Sequence, residues 1–369
     1  MSQTTHRMPL IDALKAGAAM LVLLNHFSSY GPLAATAREA FPAIFDWFYD
    51  YGRMAVQVFL VIAGFLAARG LSSQGQALAV SPLPLIGRRY LRLVVPYLAA
   101  IGLAIAASAI ATHWLDDESI PDRATFMQWL AHAFLVQNLL GFEALSAGLW
   151  YIAIDFQLFA LMAVLLWAGR ARIVAPALVL IVASASLFWF NRDAGWDNWA
   201  LYFFGSYGLG AAAWWVSDRK QLAFWLGAIA TVAIAALVLD FRLRIALALA
   251  VALLLGFDRR TGFLERWPNA RPLTFLGQIS YSIFLVHFPV LLLANSLYFQ
   301  LELSSAGSVI FGLIFVSTVS IAAATLFYRW IESPAASQRI AGALGWLLGN
   351  ALELARKVPV LGPLLPGHI

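Results

Sequence analysis

Long apolar runs separated by short polar connections organise this chain of 369 residues. Ten runs approach the ~20 mostly apolar residues that a helix needs to cross a hydrocarbon core. They are residues 11–28, 52–69, 92–112, 148–168, 172–190, 198–216, 222–239, 242–257, 273–297 and 305–330, the eighth being short. The pattern predicts an all-α, polytopic membrane protein with about ten transmembrane helices. A further apolar stretch, 126–141, carries Gln128, His132, Gln137 and Asn138. It is too short and polar for a span and predicts a re-entrant or interfacial element. Residues 1–332 therefore read as one transmembrane domain and 333–369 as a tail. Within the tail, Ile340, Leu344, Leu347, Leu348 and Leu352 predict an amphipathic interfacial helix over 338–357. No repeat or low-complexity tract is found, and the first run lacks a signal-peptide cleavage pattern.

Composition agrees with a membrane class: 62% of residues are hydrophobic and 12% charged. Soluble domains average about 45–50% apolar and about 25% charged. There is no cysteine, which excludes disulfides and thiolate chemistry. The sequence pI near 9.6 does not point to nucleic acid, because the basic residues are dispersed through short loops. With the N-terminus in the cytoplasm, 18 of the 24 lysines and arginines fall in inner segments. That bias predicts an even number of spans and both termini cytoplasmic. Asp116, Asp117, Glu118 and Asp122 cluster in an outer loop.

Ionisable residues inside a bilayer are costly, and each is a candidate for function. Residues 14–26 read LKAGAAMLVLLNH, with Lys15 and His26 eleven residues apart. Eleven residues are close to three turns, so both lie on one helix face, separated by a rise of roughly 16 Å. Asp12 precedes Lys15 by one turn. A neutral imidazole can act as a general base near neutral pH. A cation near the inner surface can hold a phosphate or carboxylate. The plainer reading has Lys15 reaching for lipid headgroups and His26 satisfied within the bundle. Four further stretches are polar where a lipid-facing helix would not be. Gln57 lies within AVQVFLVIAGFL. Arg88, Arg89 and Arg92 precede a proline in RRYLRLVVPY, with Arg89 and Arg92 spaced to clamp phosphates together. Asp155 lies in LWYIAIDFQLF, where an acid pairs with a cation, binds a proton or orients a histidine. Ser280, Tyr281, Ser282 and His287 lie in LGQISYSIFLVHFPV. Helix-packing hydrogen bonds are the plain alternative for each.

Together these stretches resemble the integral membrane acyltransferases of family 3, which acylate sugars and other hydroxyl-bearing molecules. The resemblance runs in order from about residue 7 to 335. Lys15 and His26 resemble the family's basic residue, ten residues, then histidine, where arginine is more usual at the first position. AVQVFLVIAGFL resembles its second-helix element, with Gln57 in place of the usual aspartate and Ala63 in place of serine. RRYLRLVVPY resembles its R-R-x-x-R-x-x-P motif. LWYIAIDFQLF resembles an element that usually carries glutamate where Asp155 stands. LGQISYSIFLVHFPV and the closing FYRWIESPAA resemble its last two motifs.

The resemblance implies transfer of an acyl group, usually acetyl, from cytoplasmic acetyl-CoA or another acyl-CoA. The acceptor the resemblance implies is a hydroxyl of a glycan or other molecule at or beyond the outer face. It implies catalytic roles for His26 and Asp155, with His26 as the base or as the acylated intermediate. Lys15, Arg89 and Arg92, and more weakly Arg88, would hold CoA phosphates. Gln57, Tyr281 and His287 would line the tunnel or polarise the acyl carbonyl. It also implies a bacterial inner membrane, O-acetylation of a polysaccharide, and action without an appended soluble domain, alone or with a separate partner. A homo-oligomer is left open.

A polytopic transporter using buried His, Asp and Arg is the alternative. The absence of an inverted repeat and of paired broken helices weighs against it. No His or Cys spacing suggests a metal site. Aromatic residues of 29–51 and 113–147 suit a sugar, but Trp and Tyr also favour membrane interfaces for physical reasons.

Overall fold

Each of the ten apolar runs forms a helix in the computed structural model, which describes residues 8–169, 174–262, 270–336 and 338–339. Among the described residues there are fourteen α-helices and no strand. They are α1 (Pro9–Phe27), α2 (Gly31–Ala40), α3 (Pro42–Tyr51), α4 (Val56–Leu71), α5 (Leu83–Ala111), α6 (Phe126–Ala133) and α7 (Trp150–Ala168). There follow α8 (Val174–Phe188), α9 (Ala200–Val216), α10 (Leu222–Leu239), α11 (Leu243–Thr261), α12 (Arg271–Gln278), α13 (Ser280–Gln300) and α14 (Ala306–Phe327). Among the described residues, eight helical stretches are long and apolar enough to cross a membrane, and the protein is a polytopic membrane protein. The other two runs are α9, of 17 residues, and α11, which carries Arg244, Asp258, Arg259 and Arg260 at its ends. The tail helix expected over 338–357 lies, from residue 340 onward, outside the described residues.

Three boundaries differ from the apolar pattern. The third run begins at Leu83 rather than 92, so Arg88, Arg89 and Arg92 lie on α5 itself. Pro82 caps this helix and another proline sits in its first turn, where a missing N–H costs nothing. The ninth run splits into α12 and α13 at Ile279, which leaves helical geometry at φ −94° and ψ 8°. Ser280 Oγ donates to Gly277 O at 3.0 Å, satisfying a carbonyl at the end of α12. Residues 126–141 give only the short α6, opened by a capping box of Thr125 and Gln128. Leu135 follows at φ 58°.

The core is helix on helix. Of the apolar window of α13, 72% is buried, against 11% for α10. That places α13 at the centre and α10 at the lipid-facing rim. Helices α4 and α9 approach backbone to backbone. A Cβ on Gly64 would collide with the Tyr207 carbonyl, and one on Gly210 with the Val61 carbonyl. Small residues permit this in membranes, where packing rather than hydrophobicity drives association.

Contacts fix the relative directions of the helices around the centre. At one end of the bundle, Arg69 at the end of α4 meets Met8 before α1. At that same end Lys15 of α1 lies within electrostatic reach of Arg92 of α5 and Glu332 beyond α14. Towards the other end, His26 of α1 meets His287 of α13, and Gly148 before α7 abuts His26. Helices α1, α5 and α13 therefore run one way, and α4, α7 and α14 the other. The two described ends of the domain meet at the same end of the bundle.

Candidate active site

Helix α1 carries Lys15 and His26, and its last turn is held from two sides. Asn25 Nδ2 donates to Phe48 O at 2.8 Å and to Tyr49 O at 3.0 Å, tying α1 to α3. The hydroxyls of Ser28 and Ser29 donate back to Asn25 O. This fixes the rotation of the helix so that His26, 9% exposed, faces α13. There Nδ1 of His26 lies 2.6 Å from Nε2 of His287. His287 is fully buried, and its Nδ1 donates to Ile283 O at 3.0 Å. The Tyr30 ring meets His26 edge-on at 5.5 Å. Gly148, at φ +81°, brings bare backbone up to both rings beside it. A Cβ there would lie 3.3 Å from His26 Cε1 and 3.2 Å from the Phe284 ring.

A second polar centre lies between α5 and α7. Arg89 Nη2 and Asp155 Oδ2 form an ion pair at 2.5 Å, with Asp155 nearly inaccessible. The Arg89 guanidinium lies 5.4 Å from the Phe159 ring. Its Nε is buried without a hydrogen-bond partner. Tyr151, Tyr207 and Tyr281 are electrostatic neighbours of the pair. Tyr281 OH donates to Leu93 O at 3.2 Å, joining α13 to α5. Asp155 thus sits on a cation and not on either histidine ring. Of its three sequence-level readings, pairing with a cation is the geometry found.

Nearer the end where the chain ends meet, charges of both signs gather around Lys15. Its electrostatic neighbours are Asp12, Arg92, Glu332 and Arg89. Ser282 Oγ donates to a Glu332 carboxylate oxygen. Arg88 and Arg92 are exposed, while Lys15 is half-buried. Three polar layers thus lie within the bundle: the charges around Lys15, the Arg89–Asp155 pair among tyrosines beside them, and, further along α1 and α13, the two histidines.

A family model described as an acyltransferase domain matches residues 9–329. The chain belongs to the acyltransferase 3 family. It is a membrane acyltransferase, and α1, α5, α7 and α13 lie within the match, whereas Glu332 lies just beyond it. No curated protein and no solved structure matches it.

In this acyltransferase Gln57 stands apart from the other candidates. Its Oε1 accepts from Ser206 Oγ at 2.6 Å, a packing bond between α4 and α9. Glu332, Tyr151 and Tyr207 join the polar layers without having been singled out in the sequence. Glu332 had a signal, as an ionisable residue at the end of the last span. Tyr151 and Tyr207 had none, because tyrosine is ordinary in such helices. A cavity of about 280 Å³ opens on the other face of α7, lined by Trp150, Phe203, Asn138, Gln157, Asp197 and Asn198 among others. Neither histidine lines it. Among the described residues no cluster of three or more metal-ligating side chains occurs.

Proposed function

We propose that this acyltransferase moves an acyl group, acetyl in the first instance, from cytoplasmic acyl-CoA to a hydroxyl of a glycan or other acceptor at or across the membrane. The observation that carries the reading is the buried His26–His287 pair, about three helical turns along one face from a half-buried Lys15. A long anionic thioester needs cations at one end and a base at the other. Lys15 and Arg92 are the cations that would hold CoA phosphates, with Arg88 further out on α5. Arg89 shares its charge with Asp155, so we assign it to the middle of the path, where its unused Nε–H meets the donor. Asp155 acts through Arg89 by balancing and orienting it. Tyr281 lines the same stretch. Gln57 serves packing.

His26 acts as the general base. Its free ring nitrogen takes the proton of the acceptor hydroxyl as that oxygen attacks the thioester carbonyl. The tetrahedral intermediate collapses with loss of the C–S bond. The CoA thiolate then recovers the proton from the imidazolium, which returns the ring to neutrality. We place the charged layer and both chain ends in the cytoplasm, in keeping with the lysine and arginine bias. We assign the protein to a bacterial inner membrane.

The test is turnover of acetyl-CoA labelled in the acetyl group by the purified protein in liposomes. The reading expects CoA thiol to be released and the label to move to water or to an added hydroxyl acceptor. Full recovery of intact acetyl-CoA, with no thiol formed, would leave transport as the better account.

A further inference from the structure

We propose that His287 is a positioning residue: it fixes the tautomer of His26 and leaves His26 Nε2 as the one basic nitrogen of the site. The inference rests on the reading of His26 as the base. It starts from a carbonyl. Ile283 O can only accept, so His287 Nδ1, 3.0 Å away, carries a proton. His287 is fully buried, and among the described residues no carboxylate is an electrostatic neighbour of either ring. A cationic imidazole there would be a buried charge without a counter-ion, which burial penalises heavily. His287 is therefore neutral, and its Nε2 holds a lone pair. His26 Nδ1, 2.6 Å from that lone pair, must donate. A neutral imidazole protonated at Nδ1 presents its lone pair at Nε2.

Three of the four ring nitrogens of this pair are thus engaged, and of the four only His26 Nε2 has no hydrogen-bond partner among the described residues. The two rings are not interchangeable. His287 has no spare lone pair and cannot serve as the base. Its orientation is set within its own helix, by a bond to the residue four positions earlier, and passed on to α1. When His26 takes a proton at Nε2, its Nδ1–H donates more strongly to His287 Nε2. A neutral imidazole then does for the imidazolium what a buried carboxylate does in acyl-transferring triads.

The experiment compares His287→Leu and His287→Gln in the full chain, reading acetyl-CoA affinity and turnover separately. The glutamine carbonyl can accept from His26 Nδ1, whereas leucine cannot. The leucine variant should lose about 10²-fold or more in turnover, with acetyl-CoA affinity close to wild type. The glutamine variant should recover to within about tenfold of wild type, since it restores the acceptor. Nitrogen NMR of histidine-labelled wild type supplies a readout that needs no variant at His287. It should show His26, assigned through His26→Ala, protonated at Nδ1 alone. Equal turnover in the two variants, wild-type turnover in the leucine variant, or a His26 proton on Nε2 would each overturn the inference. Failure of the base reading looks different: His26→Ala would then turn over at the wild-type rate whatever the variants at His287 do.

Discussion

Arg89 and Asp155 are residues at which a single change should destabilise the folded state. Asp155 is nearly inaccessible, and its partner is one guanidinium 2.5 Å away. Removing Arg89 alone leaves a carboxylate buried without compensation, a loss of about 3–5 kcal/mol. Removing both charges replaces the pair with apolar volume, which is often close to neutral. Arg89→Leu should therefore lower the thermal midpoint sharply, and Arg89→Leu with Asp155→Leu should recover most of it without recovering turnover. Thermal unfolding of both variants in one detergent checks this. Gly148 is a second sensitive point. An alanine there is forced to hold φ +81° and to press on His26 and Phe284, a cost of about 1–3 kcal/mol. Gly148→Ala should lower turnover more than acetyl-CoA affinity, because the His26 ring is what it displaces. Lys15 and His26 were legible as a pair because both fall within one helix and helical spacing is arithmetic. The partner of His26 was not, because α13 lies far along the chain and no local pattern records which helix docks on α1. Asp155 illustrates the same limit: the sequence shows an acid in a span, and only the packing of α5 on α7 shows its partner.

At the scale of elements, close approach and capping decide more than apolarity does. Helices α4 and α9 meet through Gly64 and Gly210, where any side chain would run into the facing carbonyl. Gly210→Leu should prevent their packing and lower the yield of folded, detergent-stable protein, with Gly102→Leu, where a Cβ meets nothing within 4 Å, as the unaffected control. Helix α6 carries a pH-sensitive contact. His132 Nδ1 donates to Gln128 O, and its Nε2 accepts from Leu145 N at 3.2 Å. Burial lowers the pKa of this ring, against a smaller opposing effect of the Gln128 bond. A lowered folded-state value means that the unfolded segment binds the proton more readily. Its contribution is thus present above the ordinary histidine value of about 6.5 and is lost as pH falls below it. Limited proteolysis of residues 134–149 should quicken between about pH 7.5 and 5.5, and His132→Gln should flatten that dependence. Existence of the ten helices was legible because long apolar runs have few other outcomes in a membrane. The break at Ile279 and the early start of α5 were not, because each depends on a hydrogen bond or a proline in the first turn rather than on hydropathy.

For the whole molecule, the alternation of helix direction is the property that joins sequence and structure. The run order makes the first, third and ninth spans parallel, and α1, α5 and α13 do run the same way. The cationic layer then lies where α1 and α13 begin, and the histidine layer lies further along both helices. The charge bias of the loops pointed to the same arrangement from an independent physical cause. The chain has no cysteine, so single cysteines can report sidedness directly. A cysteine at the exposed Gln74 should react only with reagents that reach the cytoplasm, and one at the exposed Glu118 with impermeant reagents added outside intact cells. The reverse pattern would invert the topology and put the charged layer outside. The acceptor was not legible at any scale, because the aromatic residues of the outer loops serve the membrane interface as readily as a sugar.

The central claim is a division of labour along α1, with binding at Lys15 and chemistry at His26. Its most direct test measures acetyl-CoA affinity and turnover for Lys15→Ala and His26→Ala side by side. The account predicts that His26→Ala binds acetyl-CoA as wild type does and loses about 10²–10⁴-fold in turnover, while Lys15→Ala binds several-fold more weakly and keeps turnover at saturation. Wild-type turnover in His26→Ala, or unchanged affinity in Lys15→Ala, would contradict it.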